Sequence, residues 1–161
     1  MVYNNNLKLM TYEYYMNWET VTDAPKFSDC VNGKTVEAKV VSVYDGDTIK
    51  VIFPLNGVLY KWNCRLTGVD TPELRTRHKL EKEKGYIVRD ELRKKILNKV
   101  VTLECGDLDK YGRLLVKIIC DDGKCRVDEW LINSGYAFYY DGGTKTSWAE
   151  FLDSQVLEDS K

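Results

Sequence analysis

Between residues 35 and 66, apolar and polar side chains alternate in three runs separated by reversals too short to hold a crossover helix. This restricts the start of the domain to antiparallel neighbours. Val36, Ala38 and Val40 alternate with Glu37 and Lys39, and Val41 and Val43 carry the first run to Tyr44. Asp45-Gly46-Asp47 turns into Thr48-Ile49-Lys50-Val51-Ile52-Phe53, Pro54 and Asn56-Gly57 mark the next reversal, and a third strand covers 58–66. The period then changes. Val88, Leu92 and Ile96 recur at spacing four among charged residues, which predicts one apolar stripe on a helix of about four turns. Two more strands cover 100–105 and 114–120, with a turn at 121–124. A short helix over 127–133 stops at Ser134-Gly135, where glycine suits a left-handed cap. Trp148, Phe151, Leu152 and Val156 fit a short final helix. The order βββ-α-ββ-α predicts a small α+β barrel, a five-stranded OB-fold with two or three α-helices, rather than a βαβ sheet.

With 161 residues the chain has room for one core and not two ordinary domains. We expect an aromatic-rich extension over 1–34, containing Tyr12, Tyr14, Tyr15 and Trp18, and a single domain over 35–161. The extension is too aromatic for a solvated tail, so it should pack on the domain or on a second copy. A monomer is expected, with a dimer through the extension as the alternative. No apolar run approaches the roughly 20 residues of a spanning helix, and Met1-Val2-Tyr3-Asn4-Asn5-Asn6 lacks a basic region followed by an apolar block. Five cysteines without a C-x-x-C pair read as reduced thiols. The expectation is an intracellular protein with no membrane partner.

The formal net charge of −1 provides no global attraction to nucleic acid, so any phosphate binding must be local. Residues 75–99 hold ten basic and four acidic side chains. By itself that imbalance reads as a solvated helix face.

Four clusters carry candidate chemistry. Asp45-Gly46-Asp47-Thr48 puts two carboxylates on a turn tight enough to need glycine, although alone it is an ordinary turn. In Asp70-Thr71-Pro72-Glu73, Pro72 biases Thr71 toward extended backbone, holding the Thr71 carbonyl and two flanking acids in a fan. Alone this too is a proline turn with exposed acids. Arg65 stands on a strand and Arg113 at the entry to another, and planar guanidinium donors suit phosphate oxygens. A lone strand arginine is more often a surface ion pair; the ordered set is what points to a site.

That set resembles the staphylococcal nuclease (thermonuclease) family over residues 36–140. The matching stretches are Asp45-Gly46-Asp47-Thr48, Arg65 with Val69-Asp70-Thr71-Pro72-Glu73, Asp109-Lys110-Tyr111-Gly112-Arg113, and the helix beginning Val127-Asp128-Glu129-Trp130-Leu131. The resemblance implies an OB-fold and a Ca²⁺-dependent, sugar-nonspecific endonuclease that hydrolyses DNA and RNA to leave 3′-phosphate ends. It implies Asp47, Asp70 and the Thr71 carbonyl as metal ligands, Glu73 as the residue that orients or deprotonates water, and Arg65 and Arg113 as phosphate clamps. Lys110 and Tyr111 match positions near the terminal phosphate of the substrate, while Tyr139 and Tyr140 either stack on a base or fill core. His78, with Arg75, Arg77 and Lys79, resembles a basic loop near substrate or is an ordinary solvated loop.

Two carboxylates and a carbonyl form a hard oxygen site with loose geometry, which suits Ca²⁺ better than Zn²⁺. The substrate expected is single-stranded or frayed DNA or RNA. The competing reading is a catalytically silent OB-fold module binding nucleic acid or peptide.

Overall fold

The structure, a computed structural model, describes residues 18–159, the side chains of Trp18 and Asp159 excepted. The aromatic cluster Tyr12, Tyr14, Tyr15 and Trp18 lies outside these side chains. What is described begins with two 3₁₀ turns, Trp18–Thr20 and Phe27–Cys30. The segment after them is tied to the domain. Gly33 N–H donates to the Cys105 carbonyl and Cys105 N–H to the Lys34 carbonyl, both at 2.8 Å. Val31 is buried in the core, and Phe27 stacks on Trp62 with ring centroids 6.3 Å apart.

The three predicted strands form a meander of β1 (Thr35–Val43), β2 (Thr48–Leu55) and β3 (Val58–Leu66). Pro54 does not end β2 as its ring chemistry suggested. It pairs with Leu59 past Ile52, the last β2 residue matched to β1, so its missing N–H leaves no gap in that ladder. A three-residue strand β4 (Gly68–Asp70) follows, then helix α1 (Lys79–Ile96), β5 (Val100–Leu108), β6 (Leu114–Cys120), the two-residue β7 (Cys125–Arg126), helix α2 (Val127–Asn133), β8 (Phe138–Tyr140) and helix α3 (Trp148–Asp159). The pairing order β3-β2-β1-β5-β6, with a parallel contact between β3 and β6, closes five strands into the expected OB-type barrel. Among the described residues no helix is long and apolar enough to cross a membrane.

Packing explains the order. Val40, Ile49, Val51, Cys64, Leu66, Leu103, Leu114 and Ile118 fill the core from alternating strand positions. Val88, Leu92 and Ile96 of α1 are fully buried against them, each contributing about 1.5–3 kcal/mol of transfer free energy. The stripe runs further back than the apolar residues alone indicate, because Gly85 and Glu81 extend it at spacings of three and four and are also buried.

β4 and β8 form a separate two-stranded sheet that the sequence pattern did not reveal. Three residues are too few to show alternation, and this sheet brings the chain after β3 alongside the chain after α2. His78 is the N-cap of α1, accepting from Glu81 N–H at 3.2 Å, and its Nε2 lies 3.1 Å from Asp153 Oδ1 on α3. It therefore caps α1 at the end of the loop that carries Arg75 and Arg77.

Candidate active site on the barrel wall

The first cluster is a turn held by its own acids. Asp45 Oδ1 accepts from Asp47 N–H at 3.2 Å and Thr48 N–H at 2.8 Å. Burial raises the Asp45 carboxyl above its ordinary range against these bonds and against the Arg65 and Arg113 charges. Asp45 therefore shapes the turn while Asp47 faces the cluster. Thr48 Oγ1 donates to Asp47 Oδ1 at 2.9 Å, Thr71 Oγ1 donates to Asp47 Oδ2 at 3.3 Å, and Arg65 forms an ion pair with that same Oδ2. Gly46 is required by space rather than by dihedral: a Cβ there would stand 2.7 Å from both Thr71 Cβ and Val88 Cγ1. The turn is thus pressed directly against the second cluster.

Barrel closure positions Arg65. It is the register partner of Thr48 on β2 and of Leu115 on β6. Its guanidinium is largely buried, and burial together with the neighbouring Arg113 charge holds it below its ordinary value. Arg113 belongs to a turn in which Asp109 accepts from the backbone N–H groups of Tyr111 and Arg113 at 2.9 Å and from Arg113 Nε at 2.7 Å. Burial pushes the Asp109 carboxyl up, but these bonds and the Arg113 charge outweigh it and hold it below the usual carboxylate range. Arg113 also reaches Thr48 Oγ1 at 3.5 Å, which joins its turn to the Asp47 turn.

Asp70 ends β4, and Asp70, Thr71 and Pro72 are all buried. The segment is gripped from two sides. Glu81 of α1 accepts from Glu73 N–H at 3.1 Å, and a Cβ at Gly85 would stand 3.0 Å from the Pro72 carbonyl. Trp148 of α3 donates from Nε1 to the Asp70 carbonyl at 3.3 Å. Asp70 Oδ1 is buried without a well-formed hydrogen bond, although Lys145 Nζ forms an ion pair with it. Lys145 also lies 3.8 Å from Glu73 Oε1, and Glu73 is exposed. The contacts therefore connect Asp47, Arg65 and Thr71 directly, Arg113 through Thr48, and Asp70 with Glu73 through Lys145.

The remaining candidates flank this group. Tyr111 is exposed between two cations, with Lys110 Nζ at 5.1 Å and Arg113 Cζ at 5.5 Å from its ring. Tyr139 and Tyr140 pair with Val69 and Gly68 and line a cavity of about 530 Å³ that also borders Arg65. Tyr139 is 71% exposed and so does not fill core, while Tyr140 is half-buried beneath Lys145. Two members of the group were not visible as candidates in the sequence. Glu81 sits on the extrapolated α1 stripe and could have been found there; Lys145 lies in a loop with no periodicity or motif to mark it.

A five-stranded barrel carrying acids and guanidinium groups on one wall defines an OB-type domain with a built charged site. The chain belongs to the family described as staphylococcal nuclease homologues, whose model matches residues 63–156. That match covers Arg65, the Asp70 segment and the Asp109 turn, and begins after Asp47. An uncharacterized endonuclease of Escherichia coli is 29% identical over 106 residues, which is 66% of this chain and 62% of that protein. An uncharacterized protein of Methanocaldococcus jannaschii is 36% identical over 124 residues, covering 63% of this chain and 58% of its own. A Bacillus anthracis protein is 34% identical over 110 residues, 64% and 47% respectively. The chain thus spans less than two thirds of the length of each of these relatives.

Proposed function

We propose that this chain is a Ca²⁺-dependent, sugar-nonspecific endonuclease that hydrolyses phosphodiester bonds of single-stranded or frayed DNA and RNA and leaves 3′-phosphate ends. The observation that carries the reading is the convergence of Asp47, Asp70, Arg65 and Arg113, drawn from four separate strands or turns, on one wall of the barrel. Membership of a nuclease family and the endonuclease name of the Escherichia coli relative support it.

The residues fit a hard cation. Asp47, Asp70 and Thr71 are buried oxygen donors without sulfur or imidazole among them, and the buried Asp70 Oδ1 has an ammonium group as its ion-pair partner. Both carboxylates are balanced by side-chain cations, Arg65 on Asp47 and Lys145 on Asp70. A divalent ion would be held by the two carboxylates and the Thr71 carbonyl, in competition with those side chains. When bound, it supplies positive charge against a phosphate oxygen and lowers the free energy of a hydroxide nucleophile.

The chain's own groups do the rest. Glu73 borders a cavity of about 140 Å³ with Tyr44, Asp45 and Arg75. Exposed there, its carboxylate can orient a water molecule and accept its proton. Arg65 and Arg113 neutralise the charge that grows on the phosphoryl oxygens. Because Asp47 and Asp109 already fix their positions, little reorganisation is needed in the transition state. Tyr111 and Lys110 offer a ring and a charge to the adjoining nucleotide.

The test is cleavage of a single-stranded oligonucleotide with Ca²⁺ or with chelator, followed by end-group identification. Ca²⁺-dependent scission with 3′-phosphate ends is expected; metal-independent cleavage or 5′-phosphate ends would reject the mechanism.

A further inference from the structure

Residues Lys82, Tyr86, Arg89 and Arg93 follow one another on α1 at spacings of four, three and four, so they share one helix face. That face is not simply turned to solvent. It lines a groove of about 370 Å³ whose other wall is Val43, Tyr44, Leu74 and Arg75. The ordinary reading of the basic helix as a solvated surface does not account for this arrangement.

The groove is continuous with the proposed active site. Tyr44, Leu74 and Arg75 belong both to it and to the smaller cavity that holds Glu73. Tyr44 also borders a third hollow, of about 310 Å³, which contains Thr48, Tyr111 and Arg113. One exposed tyrosine therefore stands where three depressions meet, with the candidate water-activating acid in the middle one.

The charge of the groove is unbalanced. Asp90 Oδ1 serves both Arg89 and Arg93, at 2.8 and 3.4 Å. Lys82 and Arg75 have no carboxylate partner among the described residues. Arg93 is partly spent on the fold, donating from Nε and NH2 to the Val43 carbonyl at 3.2 and 3.0 Å. Two half-exposed rings are interleaved with these cations: Arg75 lies 5.5 Å from the Tyr44 ring and Arg89 4.7 Å from the Tyr86 ring.

We infer that this groove is a distal nucleic-acid subsite. The phosphates of a single strand follow Arg75, Lys82 and Arg89 away from the Glu73 cavity, and its bases meet Tyr44 and Tyr86. Cations alternating with aromatic rings match the phosphate-base repeat of an unpaired strand. The stripe from Lys82 to Arg93 is about 16 Å long at the rise of an α-helix, enough for more than one phosphate. The identity of the ligand rests on the nuclease reading, whereas the groove and its charge do not. The subsite makes substrate length a determinant of affinity: a strand too short to leave the Glu73 cavity does not feel it.

The experiment measures binding of the full chain, in chelator, to labelled oligothymidylates of about 3 and about 12 nucleotides at several salt concentrations. The unaltered chain should bind the longer strand more tightly. In Lys82→Glu/Arg89→Glu that affinity should fall on the order of tenfold, and its salt slope should become shallower by roughly 1.4, about 0.7 per lost phosphate contact. Binding of the short strand should be unchanged. The milder Lys82→Gln should give about half the change in slope, and thermal unfolding checks that each variant is folded. Length-independent binding by the unaltered chain, equal weakening toward both lengths, or an unchanged slope would overturn the subsite. Loss of the length effect with Ca²⁺-dependent cleavage intact counts against the groove alone. A length effect without any cleavage counts against the nuclease reading alone.

Discussion

The two halves of the candidate site are held in different ways. On the barrel side, Thr48 and Arg65 are in register, Asp47 and Arg113 stand just before β2 and β6, and Thr48 Oγ1 donates to Asp47 and accepts from Arg113, whose Nε donates to Asp109. On the crossover side, the Asp70-Thr71-Pro72-Glu73 segment has only a short strand before it and depends on distant elements: Glu81 and Gly85 from α1, Trp148 from α3 and Lys145 from a loop. The barrel half is rigid because the sheet that closes the core also fixes it. The crossover half is rigid only as far as two helices hold it, and it contains the exposed acid Glu73. On the proposed function, a site that binds an ion, admits water and releases product would have its adjustable groups where the ladder no longer dictates their position.

The comparison is broken most severely by removing one group from each half. Arg113→Ala and Glu73→Ser should each lower kcat on the order of 10²–10³-fold, with melting temperatures close to that of the unaltered chain. A matching collapse of stability, read by thermal unfolding, would make these residues structural. Next in size is Gly46→Ala, which forces the two halves apart, since its Cβ would meet Thr71 and Val88 at 2.7 Å. A destabilisation of about 1–3 kcal/mol is expected from overpacking, and activity should fall further than stability. Denaturant unfolding alongside turnover measures both.

Asp109→Asn tests the barrel half alone. The depressed carboxyl of Asp109 contributes stability that is fully present above about pH 4, its ordinary value, and is lost as pH falls through the lower folded-state value. The variant should lose about 1 kcal/mol at neutral pH, and its stability should vary less between neutral and acid pH than that of the unaltered chain. The smallest effect belongs to Lys145→Ala on the crossover side. If Lys145 competes with a cation for Asp70, its removal should tighten Ca²⁺ binding by at most several-fold, because a half-exposed pair is worth about 0–1 kcal/mol. Calorimetry that shows weaker binding would assign Lys145 a different role.

The two halves also differ in how much of them was legible. Alternation in β1, β2 and β3 and the Val88, Leu92, Ile96 stripe predicted the barrel and its covering helix, because burial imposes periods of two and nearly four on any sequence that folds this way. Arg65 lies inside one of those periodic runs and the Asp47 turn joins two of them, so their positions followed. The pairing of β4 with β8, which brings Tyr139 and Tyr140 beside Val69 and Gly68, was hidden because a three-residue strand carries no period. Lys145 was hidden for a related reason: it acts through a loop whose path depends on where Trp148 packs, 78 residues away from its Asp70 partner. Tertiary contacts of that range leave no local mark.

If carboxylates from both halves hold one divalent ion, calorimetric titration of Ca²⁺ into the unaltered chain, Asp47→Asn and Asp70→Asn will reveal it. A single ion per chain is predicted, with binding lost in both variants while each remains folded. Undiminished Ca²⁺ binding in either variant would contradict the claim.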